Sequence, residues 1–157
     1  MTFPRSSCLA MALTVLGLGF AAPAWSQMHQ QQSGSYTVRS STVGSDTLSE
    51  ASARVHGIER SPTRGVLNVT VTKGGQTVPA TVAVVARNLT GRTRPIGVKE
   101  TNANGYVSYT GVYDFVHGEV LDFTVRATPY DSKEVIVLTF RDRMWGRGDL
   151  PETATHR

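Results

Sequence analysis

The chain has 157 residues, of which 39% are hydrophobic, 18% charged and 8% aromatic, with 15 Gly and one Cys. This composition excludes collagen-like, coiled-coil and fully disordered chains and leaves room for one domain of ordinary size. Sixteen Lys and Arg against twelve Asp and Glu give a formal net charge of +4, too small for counterion release to drive nucleic-acid binding. The single Cys excludes a disulfide framework and a thiolate zinc site.

Residues 1–7 carry Arg5 and no acidic residue, and residues 8–22 are apolar or small throughout. A cationic start, a short apolar run and small residues beyond it predict a secretory signal peptide over 1–26. Cleavage after Ser26 places Ala24 at −3 and keeps Pro23 away from the bond; cleavage after Ala24 is the alternative. The apolar run is shorter than the roughly 20 residues a bilayer span needs, so no membrane span is expected after signal removal. Cys8 precedes the apolar run and is therefore misplaced for a lipoprotein acceptor.

Residues 27–35 are Gln-rich and polar, which predicts a flexible lead-in. Alternation over 36–41 predicts a first strand. Asp46 or Ser45 then precedes Glu50, central alanines and Gly57, the pattern of one short helix. Residues 66–71 alternate and end at Lys73-Gly74-Gly75-Gln76, a strand and a tight turn. In 78–87, Val82, Val84 and Ala86 oppose Ala83 and Val85, so this strand is expected to be central and buried on both sides. Residues 93–100 form a weaker strand, and Pro95 assigns it to an edge. Asn102-Ala103-Asn104-Gly105 signals a hairpin into the alternating run 106–113. His117-Gly118 and Pro129-Tyr130-Asp131-Ser132 set off two last strands, 119–127 and 134–140. About seven strands with short connections predict an all-β, immunoglobulin-like antiparallel β-sandwich over 36–142, with one short helix after the first strand. A small barrel is the alternative. A polar tail is expected over 143–157.

With these elements in place, the chain resembles a small family of proteobacterial periplasmic proteins known only as a domain of unknown function. The resemblance rests on Tyr36 and Val38, Leu48-Ser49-Glu50-Ala51 and His56-Gly57-Ile58-Glu59-Arg60-Ser61. It continues through Arg64 to Val71, Ala86-Arg87-Asn88-Leu89 and Leu121-Asp122-Phe123-Thr124-Val125. It departs from the family at His56, where a Tyr is usual. The resemblance implies export to the periplasm and an all-β domain; it brings no catalytic residues.

Candidate chemistry is sparse. His29, His56, His117 and His156 show no metal-ligand spacing, and no thiol follows residue 26. Cleavage after Ser26 would expose Gln27-Met28-His29, whose amine, two amides and imidazole suit square-planar Cu(II) or Ni(II); a disordered polar terminus is the simpler expectation. There is no Gly-x-Ser-x-Gly elbow, phosphate loop or dinucleotide fingerprint. Thirteen of the sixteen cations are Arg, and Arg60, Arg64, Arg87, Arg92 and Arg94 concentrate charge that suits an anion or a partner surface. A solvated surface with Glu59 and Glu100 nearby is the plain alternative. Tyr106, Tyr109, Tyr113, Phe115 and Trp145 have mixed strand parity, which divides them between core and surface. Arg147-Gly148-Asp149 in a polar tail is most simply chance.

The expectation is a non-catalytic binding or assembly module without cofactors, engaging an envelope protein partner and no nucleic acid. The edge of the strand at 36–41 is the expected docking side. A small envelope hydrolase or metal-handling protein is the alternative.

Overall fold

The structure is a computed structural model that describes residues 27–146. The expected signal peptide, Arg147-Gly148-Asp149, His156 and most of the expected tail lie outside the described residues. Among those described, ten strands occur: β1 (Met28–Ser33), β2 (Tyr36–Gly44), β3 (Arg64–Lys73), β4 (Gln76–Thr77), β5 (Ala80–Asn88), β6 (Thr93–Ile96), β7 (Val98–Ala103), β8 (Tyr106–Asp114), β9 (Val120–Pro129) and β10 (Ile136–Arg143). A 3-10 turn (Ser45–Thr47) and the helix α1 (Glu50–His56) join β2 to β3.

Two antiparallel sheets result. The first has the order β1-β2-β3-β8-β7, with β4 also pairing to β3; the second has the order β10-β9-β5-β6. Setting β1 and β4 aside, these are the ABED and GFCC′ orders of an immunoglobulin-like sandwich. Strand alternation turns one side of each sheet inward. Val38, Leu67, Val69 and Val71 meet Val84, Leu121, Phe123 and Val125 across the interface, all buried. Burial of each such side chain contributes about 1.5–3 kcal/mol. Tyr109 on β8 ties the sheets together by accepting the Ala80 N–H at 2.7 Å.

Three expectations change. Residues 28–33 are a strand, not a flexible lead-in. Gly34-Ser35 forms a two-residue loop with Gly34 at φ 55, and this turn sets β1 in register with β2 from Ser33↔Tyr36 to Met28↔Ser41. The expected strand at 93–100 is two: it breaks at Gly97, with β6 in the second sheet and β7 in the first. The strand at 78–87 is central by pairing, yet Ala83 and Val85 face outward and are exposed. Among the described residues nothing is stacked on that face to bury them.

Smaller adjustments have local causes. The helix starts after Ser49, whose hydroxyl accepts the Ser52 N–H at 3.1 Å. Ser45 is instead buried and exchanges two hydrogen bonds with Ser61, and this fixes the 3-10 turn as a separate element. Gly57, left-handed at φ 64, closes the helix as expected. At the other end of the domain β10 runs to Arg143 and Met144 is buried, so order extends beyond the expected boundary at 142.

Gly65 and Tyr113 are cross-strand partners, and a Cβ on Gly65 would overlap the Tyr113 ring. Gly65→Ala is expected to lower the unfolding free energy by about 1–3 kcal/mol. Gly97→Ala, with open space around it, should change it by less than about 0.5 kcal/mol. Urea denaturation of both variants checks the contrast; equal effects would refute this packing account.

Candidate functional site

The five arginines share one end of the sandwich but are divided between its sheets. Arg60 and Arg64 lie between α1 and the start of β3. Arg60 donates to the Asp46 carbonyl at 2.8 Å, and Arg64 pairs with Glu59 at 2.9 Å and Asp114 at 3.1 Å. Arg94 on β6 pairs with Glu119 at 3.1 Å, and that carboxylate also accepts the Val116 N–H. Arg87 stands on the outer face of β5, and Arg92 occupies the β5–β6 turn. The fold therefore uses Arg60, Arg64 and Arg94 to anchor loops, whereas Arg87 and Arg92 face outward.

The histidines are dispersed. His56 ends α1, and His117 meets the edge of Trp145 with ring centroids 4.8 Å apart. His29 lies in β1, stacked on Phe140 at 4.2 Å, with Nε2 3.6 Å from Asp142 Oδ1. Met28 and His29 are thus part of a paired strand and the imidazole is packed on Phe140, not carried on a free polar terminus. Among the described residues, no three His, Cys, Asp or Glu side chains are grouped to hold a metal ion.

Ser40 is the cross-strand partner of His29, which brings a Ser, a His and an Asp to one seam. Ser40 is 2% exposed and its hydroxyl forms no hydrogen bond among the described residues, so it is not hydrogen-bonded to His29 as an activated nucleophile would be. Deeper in this seam Thr42 donates to Asp142 at 2.5 Å, and Tyr113 donates to the Met144 sulfur at 3.1 Å. Burial pushes the Tyr113 phenol well above its ordinary range, and the Asp142 charge adds to the effect. A cleft of about 560 Å³ opens beside these groups, with Gln27, Arg141 and Trp145 on its rim.

A second concavity, about 600 Å³, runs between the end of α1 and the β7–β8 pair. Val55, Ile58, Val98 and Val112 supply its apolar surface, and Lys99, Glu100 and His56 supply its polar one. It borders β7, which ends the first sheet. By contrast β2, the strand of the expected docking edge, is paired on both sides, by β1 and β3. The sequence signal that could have shown this was Ser33-Gly34-Ser35, a hairpin turn hidden by the polar run before it.

Residues 30–146 match the family described as "Domain of unknown function (DUF4426)". The chain belongs to this family. Its sandwich is similar to the crystal structure of a DUF4426 family protein from Pseudomonas aeruginosa PAO1, with a TM-score of 0.67 and 24% identity over 76% of this chain and 95% of that one. FetP from uropathogenic Escherichia coli strain F11 shares the fold more distantly. A copper-bound variant of FetP gives a TM-score of 0.55 at 10% identity, covering 74% of this chain and 94% of that one. FetP as isolated after recombinant expression in the periplasm gives 0.55 at 9% identity, covering 78% and 98%. No curated protein matches the sequence. No helix among the described residues is long and apolar enough to cross a membrane.

One surface cluster in this DUF4426 domain carries a pH dependence. Asp131 accepts from Tyr36 at 2.8 Å and from Lys73 at 2.7 Å, and the Lys73 ammonium lies 4.9 Å from the Tyr36 ring centre. Lys73 first, then Tyr36, hold the Asp131 carboxyl below its ordinary value; the Arg141 guanidinium does the same for Asp122. A carboxylate depressed in the folded state contributes stability above its unfolded value of about 3.9 and loses it as pH falls through the folded value. Asp131→Asn is expected to flatten the fall of the urea midpoint between about pH 5 and pH 2. An unchanged slope would remove Asp131 from the acid response.

Proposed function

We propose that this DUF4426 protein is an exported, non-catalytic binding module of the periplasm. It takes an extended segment of another envelope protein as an added strand on β7. The observation that carries the reading is the asymmetry of the first sheet. The sheet ends at β1 and at β7, with no strand beyond either among the described residues. However, β1 is tied toward β10 by His29–Asp142 and Ser33–Glu134, whereas β7 borders the α1 groove. The unpaired side of a terminal strand presents alternating N–H and C=O groups to an incoming strand. The neighbouring groove, with Val55 80% exposed, is placed to receive side chains of that segment. Lys99 and Glu100 on the edge favour a chosen partner over self-association.

Export is supported by the signal-peptide pattern over 1–26 and by the fold shared with FetP. That same likeness to a copper-bound protein supports the alternative reading, metal handling in the envelope; metal analysis of protein purified from the periplasm separates the two. A stoichiometric metal would favour the alternative.

Alternate residues of an edge strand turn their N–H groups outward, so of Glu100→Pro and Thr101→Pro one removes only an outward donor and keeps the β8 ladder. The variant that stays folded by circular dichroism is expected to lose the partner that co-purifies with the wild-type protein from periplasm. Retention of that partner by the folded variant would refute strand addition on β7.

A further inference from the structure

The outer face of the second sheet has a composition that its place in the fold does not require. Register sets three rows of side chains across it. Val137, Arg126 and Ala83 form one; Thr139, Thr124, Val85 and Pro95 form the next; Arg141, Asp122, Arg87 and Thr93 form the third. Val137, beside Arg126 in the first row, is 42% exposed, and the middle row is uncharged with Val85 38% exposed. Arg126 flanks it on one side and Arg87 and Arg141 on the other, at a separation of about 13 Å along β9. Arg143 extends the cationic side. Asp122 is the one acidic residue on these strands that faces outward, and it is held by Arg141 at 2.6 and 3.0 Å. Four arginines against one aspartate place three of the chain's four net positive charges on this face. Arg126 forms no ion pair among the described residues.

From this pattern we infer that the outer face of the second sheet is a docking surface for a folded protein partner, one that presents Asp and Glu side chains around an apolar patch. Charge complementarity selects that partner. Every cation on the three rows is an arginine, whose planar fork binds carboxylate in a bidentate manner. The uncharged row between the arginines holds Val85, Pro95 and two threonines and no aromatic ring, a composition for another protein surface and not for insertion into lipid. This goes beyond strand addition on β7, because the two surfaces lie on different sheets and use different chemistry. A module with both could join two envelope proteins.

The test places the photo-crosslinker p-benzoyl-phenylalanine at Val85 and, separately, at Val137 of the full chain in its native cells, with Thr37 on the first sheet as control. A single discrete protein adduct is expected from the first two positions and none from Thr37. The protein so identified, once purified, should bind the wild-type chain about tenfold or more tightly than the Arg87→Glu/Arg126→Glu variant. The wild-type affinity should also fall as NaCl rises. Absence of an adduct, an adduct with a second copy of this chain, or equal binding by the reversal variant would each overturn the inference. Sedimentation with phosphatidylglycerol vesicles, lost in the reversal variant and without a protein adduct, would assign the face to lipid instead. The folded β7 proline variant should keep the adduct; its loss there would transfer the contact to the strand-addition site.

Discussion

A column of rings runs from the centre of this sandwich to its N-terminal strand, and much of the arrangement depends on it. Tyr113 from the first sheet meets Phe123 of the second edge-on at 5.3 Å, Phe123 stacks on Phe140 at 5.0 Å, and Phe140 stacks on His29 at 4.2 Å. The first contact fixes the spacing of the sheets and requires Gly65 beneath Tyr113. The last carries packing out of the core to β1, a strand of Met, His, Gln and Ser that has little apolar surface of its own. Aromatic pairs in such geometries contribute about 0.5–1.5 kcal/mol beyond the area they bury.

The docking of β1 decides which surfaces remain open. β1 lies along β2 and is tied by His29 to Asp142 of β10 and by Ser33 to Glu134 just before it. β7 is then a sheet end beside the α1 groove, where Val55 and Val112 are exposed, and Val85 and Val137 are exposed on the outer face of the second sheet. Two polar groups near the seam are bound up in structure, Asp142 with Thr42 and Tyr113 with Met144.

The hairpins were legible because their turn chemistry is local. Asn104-Gly105, with φ 51 and 82, needs no tertiary context to join β7 to β8, and Gly57 ends α1 for the same reason. Period-two alternation likewise exposed β3, β8 and β9. Illegible were the features whose cause is another part of the chain. The Gln-rich stretch became a strand because β2 and Phe140 were there to receive it. The break at Gly97 arose because Pro95 and Ile96 serve one sheet and Val98 the other. Ala83 and Val85 suggested a strand buried on both faces, because apolar side chains on both parities do not say whether a layer covers the second.

The sequence by itself determined the sandwich, its turns and the division of most strands into an inward and an outward side, since these follow from side-chain alternation and from glycine, asparagine and proline geometry. It also concentrated arginines between residues 60 and 94 without telling where they stood in the sandwich or which were tied to carboxylates. Pro95 marked β6 as an edge, and it ends the second sheet; tertiary structure alone decided the other edges, the covered seam and the open faces. An edge is defined by the absence of a neighbour, and a neighbour is supplied by residues distant in the chain.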